Sequence, residues 1–303
     1  MLETYDEPFE DGPSASPAEL VAGLIDLLHL EQLEENLYRG KRTLEPWVRV
    51  FGGQVIGQAL MAACQTVDAL RIPHSLHAYF MRPGDPGREI VYQVWRDRDG
   101  GSFSSRRVVA IQNGKPILNM AASFQVPEAG LDHHIAMPQG LPDPETLEDE
   151  RSILLRNIRF IPPQRRGPML RPRPLEFRPV NPAHRVPDRP HPAQTNYWFK
   201  SVAPLPDDPQ LHRAMLAYAS DMMLLSTSML PHGVSWFSKG MQEASLDHAL
   251  WIHEDFRLDE WLLYTMDAPW TGHGRGLNRG QIFTRDGRLV ASVMQEGLIR
   301  VRP

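Results

Sequence analysis

Cysteine is nearly absent: Cys64 is alone in 303 residues. That excludes an internal disulfide or a thiolate metal cage, and fits a reducing compartment, with the cytosol as the default. Apolar runs are short, and none reaches the roughly 18 residues that would suggest a membrane-spanning helix. The opening stretch MLETYDEPFEDG has neither the basic nor the apolar region of a secretory leader. Val301-Arg302-Pro303 at the other end is not a peroxisomal Ser-Lys-Leu address. A basic excess is missing too: 32 Lys and Arg face 37 Asp and Glu, for a net charge of −5. Nucleic acid is therefore not an expected partner.

Several catalytic signatures are also missing. No Gly-x-Ser-x-Gly pentapeptide marks a serine nucleophile. Cys64 sits inside an apolar helical run and reads as inert core. No His, Asp or Glu cluster has metal-ligand spacing. Gly272-His273-Gly274-Arg275-Gly276 lacks the strand-turn-helix setting of a dinucleotide loop and reads as a flexible loop. Neither metal nor cofactor is expected. His74 and His77 are an alternative base pair, but their i, i+3 spacing in a strand points them to opposite faces.

What remains is a globular composition, with 42% apolar and 23% charged residues, long enough for two ordinary domains or one large one. Proline is plentiful at 28, and ten prolines fall between Pro162 and Pro192 with seven arginines and only two acids. Pro lacks the N–H that a sheet ladder needs, so this stretch is expected to be neither helix nor central strand but an extended connector. Its charge reads as a solvated surface, with a basic lip for phosphates as the alternative.

Ser16-Pro17-Ala18-Glu19 is a capping box with Pro at the first helical position, opening an amphipathic run through Leu20, Leu24, Leu27 and Leu28. A second helical run, Gly52 to Cys64, is apolar nearly all round and should be buried, its small residues letting a sheet approach closely. Strand patterns follow at residues 75–81, 90–95, 106–112 and 117–126, with turn signals at Pro83-Gly84-Asp85 and Asn113-Gly114.

The second half repeats this order. Asn196 to Lys200 resembles Asn36 to Arg39, a helical run covers residues 216–230, and Ser245-Leu246-Asp247-His248 echoes Ser75-Leu76-His77. The hairpin at Asn113-Gly114 matches the one at Asp286-Gly287, 173 residues on. These matches indicate a two-fold tandem repeat. Each unit is one long apolar helix against an antiparallel sheet, an α+β arrangement. The expected organisation is an N-terminal repeat at 17–137, a Pro/Arg connector at 138–194 and a C-terminal repeat at 195–303.

A polar residue held by only one copy, at a privileged place, is a better site candidate than one shared by both. Phe51-Gly52-Gly53-Gln54 set against Tyr218-Ala219-Ser220-Asp221 places Gln54 opposite Asp221, near the start of each long helix. Ser245 answers to Ser75, and Gln295 to Ala122. A carboxylate near a helix N-terminus, with an alcohol and an amide close by, can hold a water and accept its proton. Taken singly, Asp221 reads as an N-cap acid, Ser245 as a turn residue and Gln295 as a strand position.

At these residues the chain resembles a family, the acyl-CoA thioesterase II enzymes of bacteria and peroxisomes, which share a tandem double hotdog fold. The resemblance runs from about residue 20 to 300. It is carried by Val50-Phe51-Gly52-Gly53-Gln54-Val55-Ile56-Gly57-Gln58-Ala59-Leu60, by His74 to Asp85, by Asp99 to Val108 and by Ala110 to Ile117. Tyr218 to Asp221, Leu246 to Trp251 and Gln295-Glu296-Gly297 continue it in the second half. The resemblance implies an Asp, a Thr or Ser and a Gln that together bind the attacking water, falling on Asp221, Ser245 and Gln295. Ser245 keeps the hydroxyl and lacks the methyl that Thr would bring. The implied reaction is hydrolysis of fatty acyl-CoA; the expected location is cytoplasmic and the expected assembly a homo-oligomer. Gly52, Gly53, Arg106 and Arg107 are expected substrate contacts, the arginines toward the CoA phosphates. The rival readings are a hotdog enoyl-CoA hydratase and a non-catalytic acyl-CoA binding protein.

Overall fold

The computed structural model describes residues 5, 15–43, 49–187 and 189–302. The opening stretch, Tyr5 apart, and Pro303 lie outside them. Helix α1 (Pro17–Leu28) and strands β1 (Glu31–Glu34) and β2 (Leu37–Gly40) lead to α2 (Gly52–Cys64). Then come β3 (Ile72–Phe80), β4 (Ile90–Asp99), β5 (Phe103–Gln112) and β6 (Lys115–Gln125). Between the halves lie α3 (Glu150–Arg156), α4 (Pro163–Leu170) and β7 (Leu175–Pro179). The second half holds β8 (Gln194–Ser201), α5 (Pro209–Ser220), β9 (Met241–Ser245), β10 (Asp247–Ile252), β11 (Leu262–Gly272), β12 (Arg275–Thr284) and β13 (Leu289–Val301).

All the strands form one antiparallel sheet in the order β1-β2-β4-β5-β6-β3-β10-β13-β12-β11-β8-β7, with β9 also on β13. The halves meet where β3 pairs β10, Leu76 opposite Leu250 and Ala78 opposite His248. Alternation along each strand turns one face toward α2 and α5, and the residues there join one apolar core spanning both halves. This is the α+β double hotdog the sequence implied.

The Ser16 cap forms as its residues dictate: the Glu19 amide donates to Ser16 Oγ at 3.3 Å, and the Ser16 amide to the Glu19 carboxylate at 2.8 Å. α2 is buried, but its glycines admit a helix rather than a sheet. A Cβ on Gly53 would stand 2.3 Å from the Tyr218 carbonyl, and one on Gly57 would stand 3.2 Å from that of Ala214, both on α5. Asn113 and Gly114 turn the β5–β6 hairpin with φ of 50° and 69°. His273 and Gly274, read as a flexible loop, make the same tight turn between β11 and β12, with φ of 50° and 73°.

The connector differs from its sequence reading, since α4 falls within its proline-rich part. Pro163 occupies the first helical position, where a missing N–H costs nothing. Met169 and Leu170 pack with Leu154, Ile161 and Phe237 in a satellite core, which outweighs the penalty of Pro168 inside the helix. The prolines do restrict β7, which lies at the sheet edge and ends on Pro179. Buried Glu150 pairs with Arg185 at 2.5 Å and Arg173 at 3.6 Å. Many of the connector's arginines are thus tied down rather than solvated.

Candidate active site

Asp221 closes α5 as its C-cap residue, with φ −77° and ψ −16°. Sequence reasoning placed it near a helix start; it stands at a helix end, because α5 begins at Pro209, earlier than the expected run, and stops at Ser220. The residues beyond it turn through Met223, at φ 65°, before a 3₁₀ segment from Leu225 to His232. Asp221's counterpart by position is therefore Gln65, the C-cap of α2, and not Gln54.

A carboxylate at a helix C-terminus runs against the helix dipole, so it needs donors from elsewhere. Gln295 Nε2 donates to Asp221 Oδ1 at 2.5 Å, and Ser245 Oγ to the same oxygen at 3.4 Å. Oδ2 faces the first turn of α2, where a Cβ on Gly52 would meet it at 2.6 Å and the Phe80 ring at 2.8 Å. Among the described residues no side chain caps that end of α2, so its positive end can face an anion. The three sequence candidates Asp221, Ser245 and Gln295 are thus brought together, with Gly52 beside them. The Asp221 side chain is only 5% exposed.

The sheet supplies the rest. Hairpins β5–β6 and β12–β13 carry bulges at the same place, Ala110/Ile111 and Ile282/Phe283. Superposing the bulges sets Ala122 against Gln295, as the sequence comparison did, and Arg106 against Asn278. It also sets Leu76, the partner of Ala122, against His248 rather than opposing Ser75 to Ser245. His248 is fully buried and is a functional candidate that sequence reasoning missed. The signal was present, a histidine in one copy and leucine in the other, but matching Ser75-Leu76-His77 to Ser245-Leu246-Asp247-His248 hid it behind His77. Its Nδ1 lies 3.1 Å from Gln295 Nε2 and 4.0 Å from Asp221 Oδ1. Burial holds the imidazole below its usual range, with Asp221 pulling the other way. Tyr264, its phenol pushed well up by burial and then by the Asp221 charge, donates to the Ser220 carbonyl at 2.8 Å.

The matching place in the first half is filled. Arg106 is 2% exposed, and donates to Thr66 Oγ1 at 2.8 Å, the Thr66 carbonyl at 2.9 Å and Asp99 at 2.7 Å. Its remaining contacts are the carbonyls of Arg98 and Ser105, so no donor is left for a CoA phosphate. Arg106 belongs to the frame, where Asn278 in the other copy is short. Arg107 is exposed, 3.4 Å from Asp97 and over the Trp95 ring. His74 and His77 do not alternate faces, because a bulge between Pro73 and Ser75 intervenes. Both lie on the sheet face away from Asp221, His74 bonded to Ser123 Oγ at 2.9 Å and His77 edge-on to Trp251. Cys64 is buried, its thiol pushed up to about 12. Among the described residues no His, Cys, Asp and Glu group could hold a metal.

Residues 178–298 match the family model of acyl-CoA thioesterase, and residues 43–125 that of the acyl-CoA thioesterase N-terminal domain. Acyl-coenzyme A thioesterase 8 of Homo sapiens is 40% identical over 297 residues, covering 95% of this chain and 92% of that protein. Acyl-CoA thioesterase 2 of Haemophilus influenzae is 38% identical, with 93% and 99% covered. Among solved structures, acyl-CoA thioesterase II TesB2 of Mycobacterium marinum is 44% identical, covers 91% of this chain and 98% of its own, and has a TM-score of 0.74. A hot dog fold protein of Alicyclobacillus acidocaldarius shares the fold alone, with 19% identity and a TM-score of 0.76. With the same two-copy sheet, and with family models matched in both halves, this chain belongs to the acyl-CoA thioesterase family.

Proposed function

We propose that the chain hydrolyses fatty acyl-CoA to free fatty acid and CoA, with Asp221 as general base toward a water oriented by Ser245 and Gln295. The observation that carries the reading is the convergence of the Gln295 and Ser245 donors on Oδ1, with Oδ2 turned toward the open start of α2. Gln295 Oε1 is buried without a partner among the described residues, an acceptor suited to a water proton. The water's oxygen adds to the thioester carbonyl as Asp221 takes its proton. The N–H groups of Gly52 and Gly53 support the resulting oxyanion. Collapse then breaks the C–S bond, and the CoA sulfur leaves with the proton that Asp221 held. Proton transfer by a positioned base contributes roughly 10² to 10⁴-fold.

Arg107 remains a candidate phosphate contact at the surface. A cytoplasmic location belongs to the same reading, supported by the lone unpaired cysteine, and so does a homo-oligomer, which sedimentation of the purified chain tests. Among the described residues no helix is long and apolar enough to cross a membrane. The deciding assay is free-thiol release from palmitoyl-CoA. A thioesterase releases CoA; a hydratase removes enoyl absorbance without freeing thiol, and a binding protein does neither.

A further inference from the structure

The hydrogen bonds around His248 fix more than the imidazole itself. Ser220 Oγ sits 3.1 Å from the Ala217 carbonyl and 2.8 Å from His248 Nε2. A carbonyl can only accept, so both contacts are hydrogen bonds when the serine's single proton goes to Ala217. His248 Nε2 must then carry the hydrogen that Ser220 Oγ accepts. For a neutral ring this leaves Nδ1 bare, and its neighbour at 3.1 Å is the Gln295 amide. The amide's orientation is set from the other side, since an oxygen 2.5 Å from the Asp221 carboxylate would oppose like charge. Its NH₂ group therefore spans two acceptors, Nδ1 of His248 and Oδ1 of Asp221, and Oε1 is turned away. The chain of donors runs from Gln295 through His248 and Ser220 to the backbone of α5, one turn before Asp221.

We propose that His248 is a positioning residue: its neutral imidazole locks the Gln295 amide with NH₂ toward Asp221 and Oε1 toward the water. The inference rests on the reading of Asp221 as the base. His248 touches no reacting atom, and acts only through Gln295. A protonated ring would aim N–H at the amide's own NH₂, and the lock would open. The titratable groups around the ring are Asp221 at the end of α5, 4.0 Å away, and Tyr264 from β11, which reaches the same turn through the Ser220 carbonyl. Burial favours the neutral form.

A double-mutant cycle on palmitoyl-CoA hydrolysis tests this, with Asp221→Asn as the reference. His248→Leu and Gln295→Ala are each expected to lower kcat about 10- to 100-fold, the range for hydrogen bonds to charged groups, with KM little changed. The double variant is expected to be no slower than Gln295→Ala alone. His248→Asn, whose Oδ1 can stand in for Nδ1, should recover much of what His248→Leu loses. If His248→Leu does not fold, Ser220→Ala replaces it in the cycle and should slow only chains that keep Gln295. Multiplying effects, or no recovery in His248→Asn, would overturn the inference while an inactive Asp221→Asn leaves the base assignment standing. An Asp221→Asn variant as fast as the wild type would overturn both.

Discussion

Gln295 Nε2 donates to Asp221 Oδ1 at 2.5 Å, tying the chain's final strand to the end of a helix 74 residues earlier. At the C-terminal end of α5 the helix dipole opposes the carboxylate, so its support comes from donors on other elements, of which Gln295 makes the shortest contact. Gln295→Ala is therefore expected to cost about 10- to 100-fold in kcat, with KM for palmitoyl-CoA within about threefold. Steady-state kinetics on the folded variant check this.

Ser245 lies 3.4 Å from the same oxygen, a longer and weaker contact. Ser245→Ala is expected to lose about tenfold in kcat, the lower end of the range for a bond to a charged group. Ser245→Thr keeps the hydroxyl and should stay within about threefold of the parent. A Ser245→Thr variant as slow as Ser245→Ala would contradict the role given to the hydroxyl.

Gly52 and Gly53 separate activity from stability. A Cβ at Gly53 meets the Tyr218 carbonyl at 2.3 Å, so Gly53→Ala must spread α2 from α5 and is expected to cost about 1–3 kcal/mol in denaturant unfolding. A Cβ at Gly52 meets the Asp221 carboxylate and the Phe80 ring instead. Gly52→Ala should therefore lose turnover by a larger factor than its stability loss would suggest. Paired melting curves and thiol-release rates distinguish the two.

Much of the fold was legible because it rests on local chemistry. Ser16-Pro17-Ala18-Glu19 and Asn113-Gly114 each specify a cap or a turn with no long-range help. The misplaced elements depend on packing far along the chain. α4 tolerates Pro168 because Met169 and Leu170 find Phe237, and no window around Pro168 contains that fact. Asp221, Ser245 and Gln295 could be chosen from type and motif, yet the repeat register that justified them was wrong in two of three places. Bulges and helix ends set that register, and His248 became visible only when the bulges were superposed.

Burial depresses the imidazoles of His74, His184, His212, His248 and His253. For such a group the folded chain resists the proton that the unfolded chain accepts near the usual value of about 6.5. The stabilisation is full above that pH and is lost as pH falls toward the folded values. Carboxyls raised by burial, Glu243 and Asp247, act in the opposite sense. With five imidazoles against two carboxyls, urea unfolding free energy is expected to decline steadily from pH 7.5 to 5.5. A flat profile over that window would show these rings are as accessible to protons as in the unfolded chain.

Asp221 is proposed to remove the proton from the attacking water. Thiol release from palmitoyl-CoA by Asp221→Asn measures it directly, and the enzyme's own Cys64, buried and pushed up to about 12, stays silent to the thiol reagent. A folded variant with turnover lowered at least about 10²-fold is expected, the low end for a lost general base. Turnover within a few-fold of the parent chain would contradict it.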